Sequence, residues 1–222
     1  MPEAAIGSAT DMLKPTEAAV VARVALRDIN RVIDEGILPE AFIALDDGRR
    51  VAATACVLIS FYFDSAERLS SKERKFAIRE AGSRLHRLRA RALASLIEED
   101  WTVRDEFLTI DLAPFVRRTK ERMDRLAAAR ELVVVDPDIL GGTPVIRGTR
   151  IPVYDVAASV SAGLRKDRIS AAYPTLDADK IELASIYAEA NPARGRPRLS
   201  DEFPRGAVIA ADRRVRRRRK AG

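Results

Sequence analysis

Residues 132–192 read LVVVDPDILGGTPVIRGTRIPVYDVAASVSAGLRKDRISAAYPTLDADKIELASIYAEANP, and this stretch decides how the rest of the chain is read. Asp136-Pro137 opens a turn, because the pyrrolidine ring presets φ for the second turn position. Gly141-Gly142 reverses the chain where a Cβ would clash. Residues 133–135 and 144–147 flank that reversal as two short strands. Arg147-Gly148-Thr149-Arg150 turns the chain again before Ile151-Pro152. Three short helical patterns follow, separated at Gly163 and at Pro174. The reading is a strand-turn-strand unit packed on a small helical bundle. Gly142 and Gly148 are expected in backbone conformations that a side chain disfavours.

The run DPDILGGTPVIRGTRIPV, with Ala162-Gly163 and YPTLDADKI at residues 173–181, closely resembles the family catalogued as domain of unknown function 433. The resemblance covers about sixty residues. Members of that family look like antitoxins of type II toxin–antitoxin pairs, similar in role to VapB. What the resemblance implies is a DNA-binding antitoxin fold, a PIN-type ribonuclease toxin as partner, and operator DNA as ligand.

Working outward, residues 16–35 read TEAAVVARVALRDINRVIDE: a short Ala/Val helix, a break near Arg23-Val24-Ala25, then an amphipathic helix. Gly36 stops it and Pro39 prevents a quick restart. On the second helix Leu26, Ile29, Val32 and Ile33 share one face, and Arg27, Asn30, Arg31 and Asp34 fall on the other. Two short helices with a tight turn predict a helix-turn-helix whose second helix enters the major groove. Arg pairs with guanine and Asn with adenine, so Arg27, Asn30 and Arg31 are the candidate base readers. Arg49 and Arg50, after the Asp46-Asp47-Gly48 turn, form a candidate wing on phosphates. The segment resembles, more weakly, the DNA-binding start of MerR- or excisionase-like regulators. The competing reading is a surface helix whose Arg and Asp residues pair locally.

Between these ends, residues 52–69 read as a buried helix, and Ser70 or Ser71 caps a long helix running to about residue 98. Residues 101–103 and 107–110 form a hairpin about Arg104-Asp105-Glu106. Asp111 caps a further helix, with Phe115, Met123 and Leu126 inward and a solvated polar face of Arg117, Arg118, Lys120, Glu121 and Arg122. That helix leads directly into the C-terminal domain and is expected to serve as a rigid connector. The organisation expected is a helix-turn-helix-like N-terminal domain over residues 1–130, an antitoxin-like domain over 131–192 and an arginine-rich tail over 193–222. The fold class is mainly α with small β-hairpins, the C-terminal domain being a small α/β unit.

Charge divides the chain in the same way. It carries a net +6, and from residue 194 onward there are eleven Lys or Arg against three Asp or Glu. The tail is therefore +8 and residues 1–193 are −2, so the sequence pI near 9.8 describes a tail and not a body. The tail is rich in Pro, Gly and Arg and lacks periodicity, which predicts disorder in isolation. Arg194-Gly195-Arg196-Pro197 matches the core of an AT-hook, which enters the minor groove. The reading that agrees with the resemblance is toxin binding. A PIN nuclease gathers carboxylates around divalent metal, and guanidinium groups pair with carboxylates bidentately. Arg194, Arg196, Arg198, Arg213 and Arg214 are the candidate contacts, with Leu199 and Phe203 as apolar anchors.

The apolar share of 47% supports a real core, and no apolar run is long enough to predict a membrane span. The first fifteen residues lack the pattern of a secretory signal. The lone cysteine, Cys56, sits in an apolar run and reads as a buried, inert thiol in a cytoplasmic protein. One histidine, His86, beside Arg84, Arg87 and Arg89, offers no metal set. Gly141-Gly142-Thr143-Pro144 lacks the ending of a phosphate loop. No enzyme, cofactor or metal is expected. The expected function is a dimeric antitoxin that neutralises a ribonuclease through its tail, forms a toxin–antitoxin hetero-oligomer and represses its own operon. The alternative is a stand-alone DNA-binding regulator without a toxin.

Overall fold

The structure is a computed structural model that describes residues 12–46, 48–88 and 93–193. It is mainly helical, with three small antiparallel sheets among the described residues. Residues 12–192 belong to one compact unit.

The chain enters through β1 (Met12–Leu13) and α1 (Pro15–Ala22), turns at Arg23-Val24-Ala25, and continues as α2 (Leu26–Asp34). Pro15 occupies the first helical position, where its missing N–H costs nothing. Carboxylates three residues on close both helix starts: Glu17 accepts the Lys14 N–H at 2.9 Å and Asp28 accepts the Ala25 N–H at 3.2 Å. Short strands β2 (Ile43–Ala44) and β3 (Arg50–Ala52) follow, and β3 is the centre of a three-stranded sheet with β1 and β2 at its edges. The inward face of α2 differs from expectation. Ile29 and Val32 are buried, but Leu26 is 42% exposed. It stands in the first turn of α2, ahead of the part that meets the core.

Helix α3 (Ala55–Asp64) is buried nearly throughout, yet it begins three residues later than the apolar run suggested, because residues 50–52 are claimed by the sheet. Helix α4 (Ser71–Leu88) opens on a reciprocal cap: Ser70 N–H donates to Glu73 at 2.6 Å and Glu73 N–H donates to the Ser70 hydroxyl at 3.3 Å. It does not run to residue 98. It is described as far as Leu88, and Leu93–Glu98 is a 3-10 segment whose Leu96 carbonyl accepts the buried Trp101 indole N–H at 2.6 Å. The hairpin pairs β4 (Thr102–Asp105) with β5 (Leu108–Asp111). Its turn is Glu106-Phe107, which begins two residues later and ends one residue later than read from the sequence, and Phe107 is fully exposed at the tip.

Helix α5 (Ala113–Leu132) starts where the Asp111 carboxylate accepts the Ala113 N–H at 2.8 Å. It buries Val116, Met123, Leu126 and Ala129, and α1, α3 and α8 (Ala178–Ala190) all lie against it. It leads directly into β6 (Val133–Val134), which pairs antiparallel with β7 (Val145–Ile146). The Asp136-Pro137 turn forms as read, and Gly142 and Gly148 adopt φ of 83° and 75°. Helices α6 (Val153–Ser161) and α7 (Lys166–Ala172) are joined through Gly163, and α8 is capped by Asp177, whose carboxylate accepts the Lys180 N–H at 2.8 Å.

Two apolar clusters result. The larger gathers α1–α5 and the Trp101 hairpin, and the smaller gathers Val133, Ile146, Val153, Val156, Ile169, Leu176, Ile181 and Ala184. Helix α8 serves both, since Ala190 belongs to the larger one. Polar links join the same elements: the Thr16 hydroxyl donates to the Ala190 carbonyl at 2.6 Å, and Arg130 pairs at 2.9 Å with Glu17, which is buried.

Candidate functional site

Ile29 and Val32 anchor α2 to the core, and 3.6 residues per turn then carries its polar residues to the outer surface. Arg27 is the freest of them, with an 89% exposed side chain and the Asp28 carboxylate 4.0 Å away. Arg31 is exposed and bonded to Glu35 at 2.8 Å, one turn on. That hydrogen bond and the nearby carboxylate raise its pKa further.

Arg49, from the turn between β2 and β3, folds onto the same face. It donates to the Asn30 side-chain oxygen at 3.3 Å and pairs with Asp34 at 2.8 Å. Arg50 stands in β3, half-buried, one residue beyond. The fold thus brings Asn30, Arg49 and Asp34 into one group, with Arg27 and Arg31 flanking it on α2. All of these ion pairs are exposed and exchange readily for other anionic partners, since such pairs contribute about 0–1 kcal/mol. The local-pairing reading of α2 therefore holds for Arg31, bonded to Glu35, whereas Asn30 and Asp34 take Arg49 from outside the helix as their partner.

The tail residues Arg194, Arg196, Arg198, Leu199, Phe203, Arg213 and Arg214 lie outside the described residues, as does Asp47. His86 is exposed and edge-on to Phe42. Cys56 is fully buried and its thiol is pushed up to about 12 by burial, with Arg122 as a small opposing influence. Among the described residues no cluster of His, Cys, Asp or Glu has the arrangement of a metal site. No helix among them is long and apolar enough to cross a membrane.

The polar face of α5 holds a correction. Arg117 and Glu121 are solvated as expected, but Arg122 turns inward and donates to the Val21 carbonyl at 3.2 Å, at the end of α1. Arg23, Arg118 and Arg122 thereby meet in a cleft of about 460 Å³ beside the α1–α2 turn. Sequence reasoning missed this group because its members are about a hundred positions apart. The one available signal was Arg23 itself, an arginine at a helix break where glycine is favoured.

A family model described as a protein of unknown function (DUF433) matches residues 133–188. An uncharacterized protein, y4eO, from Sinorhizobium fredii (strain NBRC 101917 / NGR234) is 64% identical over 220 residues, covering 99% of this chain and 100% of that protein. No solved structure matches. The β6–β7 turns, α6, α7 and most of α8 are the elements that the family model spans. The chain therefore belongs to one family with y4eO, and its residues 133–188 match the DUF433 proteins of unknown function.

Proposed function

We propose that this protein is a type II antitoxin: it binds operator DNA through α2 and neutralises a PIN-type ribonuclease through its arginine-rich tail. The observation that carries the DNA half is the outer face of α2. Arg27, Asn30 and Arg31 stand at the surface on the second of two helices joined by a three-residue turn, and Arg49 reaches Asn30 from the β2–β3 turn. This disposition supports the reading of a helix-turn-helix with a small wing. Arg27 and Arg31 offer guanine-pairing forks, Asn30 an adenine-pairing amide, and Arg49 and Arg50 phosphate contacts. A C2 dimer on an inverted repeat suits such a reader. The toxin half rests on the family resemblance and on charge, a +8 tail following a −2 body. A cytoplasmic setting and a toxin–antitoxin hetero-oligomer follow from that reading.

A stand-alone regulator shares the α2 face, so one experiment is designed to separate the two. Nuclease activity of the partner toxin and gel-shift affinity for the operator are measured at fixed salt. The chain is used intact, truncated after Asn191, and as Arg27→Ala/Arg31→Ala. Truncation is expected to release the nuclease and to weaken specific DNA binding only by the phosphate attraction of the tail. The double substitution is expected to cost about 1–3 kcal/mol per base contact and to leave inhibition intact. Full inhibition by the truncated chain turns the reading to the regulator. Unchanged operator affinity of the double variant removes α2 as the reader.

A further inference from the structure

The cleft beside the α1–α2 turn is unlike the rest of the surface. Three guanidinium groups line it, from Arg23 at the turn and from Arg118 and Arg122 on α5, along with Asp28, Asp64 and the ring of Phe63. The two carboxylates are already engaged. Asp64 pairs with Arg118 at 3.6 Å, and Asp28 accepts the Ala25 N–H and lies 4.0 Å from Arg27. Arg122 gives a donor to the Val21 carbonyl, and among the described residues neither it nor Arg23 has a carboxylate within ion-pair distance. Its partial burial, with Arg23 and Arg118 as like-charged neighbours, lowers the pKa of Arg122 below the usual arginine value. Among the described residues, Arg23 and Arg122 thus share the cleft without an ion-pair partner of their own, and Asp64 and Glu121 offset the charge of Arg122 only in part.

The backbone adds an independent observation. Arg23 has φ 57° and ψ 50°, the left-handed region that disfavours any residue with a Cβ. Glycine would fill that place without strain, as Gly163 does at the end of α6. A strained residue that also brings an unpaired cation into a cleft points to a use for its side chain. The first turn of α2, with its positive dipole end, opens onto the same space.

We infer that this cleft is a phosphate site in which Arg23 and Arg122 bind the phosphoryl oxygens. Guanidinium forks match phosphate geometry, and an anion offsets the mutual repulsion of the three arginines. The cleft is larger than one phosphate, and Phe63 leaves an apolar wall for a small organic body. The phosphoryl group belongs either to a small phosphorylated metabolite or to a DNA strand passing the turn. The site does not depend on base reading by α2, which the Arg27/Arg31 variant tests separately.

The full chain is titrated with inorganic phosphate and, separately, with a short duplex of arbitrary sequence, at matched ionic strength. Thermal shift and calorimetry are the readouts for phosphate, and the salt slope is the readout for duplex. The variants are Arg23→Gly and Arg122→Gln, with Arg117→Gln, exposed on α5 outside the cleft, as control. Phosphate is expected to raise Tm saturably, and each cleft variant to lose about tenfold in affinity, the loss of one charge-assisted hydrogen bond. Arg23→Gly is expected to melt no lower than the parent without ligand, because it removes the left-handed strain, so its loss of binding is not unfolding. If phosphate gives no saturable shift but both cleft variants reduce the duplex salt slope by about 1, the phosphate is that of DNA. No response to either ligand, or equal responses of cleft variants and control, overturns the site.

Discussion

At the end of α1 the chain reverses through Arg23, and at the end of α6 it reverses through Gly163, with φ of 57° and 79°. The hydrogen bonds match: Val24 N–H reaches the Ala19 carbonyl at 3.0 Å, and Leu164 N–H reaches the Ser159 carbonyl at 3.1 Å. Both are six-to-one helix closures of the Schellman kind. The second helices then diverge. In α2, nine residues bury Ile29 and Val32 and leave Arg27 almost free. In α7, seven residues bury Ile169 alone, and the cations at its start are paired, Arg165 with Asp167 two residues on and Lys166 with Glu182 of α8. Two basic helix pairs of similar backbone therefore differ in what they present. Availability is set by the carboxylates folded beside each arginine, which composition does not report.

The largest effects should come from the apolar floor under each pair. Ile29→Ala and Ile181→Ala, both fully buried, should each cost about 2–5 kcal/mol. Since α8 contributes to both clusters, urea unfolding followed by far-UV circular dichroism and by Trp101 fluorescence should give coincident transitions for each variant. A dichroism transition that Trp101 does not share in Ile181→Ala would show that the two pairs stand on separate folding units.

Next come the turns. Val at Gly142, Gly148 or Gly163 meets no crowding, with nothing nearer to an added Cβ than the Pro137 Cα at 4.0 Å from Gly142. The cost is then conformational, about 1–3 kcal/mol at each left-handed position. Melting temperatures equal to the parent's would mean that these turns relax freely and that the Arg23 turn carries no strain either.

The smallest effect near neutral pH belongs to Cys56, under α1 with its thiol 3.9 Å from the Ala18 carbonyl. Burial raises its pKa from an ordinary 9.0 to about 12. The folded state keeps the proton longer, so this contribution to stability is complete below about pH 9 and is lost as pH rises towards 12. A thiol reagent at pH 8 should label the native chain only as fast as α1 opens. Rapid labelling at that pH would place the thiol at the surface.

Much of the local architecture was legible. Pro137, Gly142 and Gly148 act on their own φ, and the break at Arg23-Val24-Ala25 and the buried face of Ile29 and Val32 followed from short-range pattern. Leu26 and the start of α3 differ from expectation for one reason. Each turns on whether a neighbour distant in sequence occupies the space or takes the hydrogen bonds. Ala52 pairs with Met12, forty positions away, and so is strand and not helix.

By itself the sequence determined the bends at Arg23-Val24-Ala25, Asp136-Pro137, Gly142 and Gly148, the buried face of Ile29 and Val32, that a −2 body precedes a +8 tail, and that residues 133–188 carry a recognisable family pattern. Those properties are written in dihedral preferences, 3.6-residue periodicity and charge, all of which act over a few positions. Only the tertiary structure decided that Arg122 would meet Arg23, that Arg130 would hold the buried Glu17, and that Arg49 would settle on Asn30. Such meetings form only after the core has paid the entropy of closing long loops, and no local pattern encodes which side chains that closure leaves face to face.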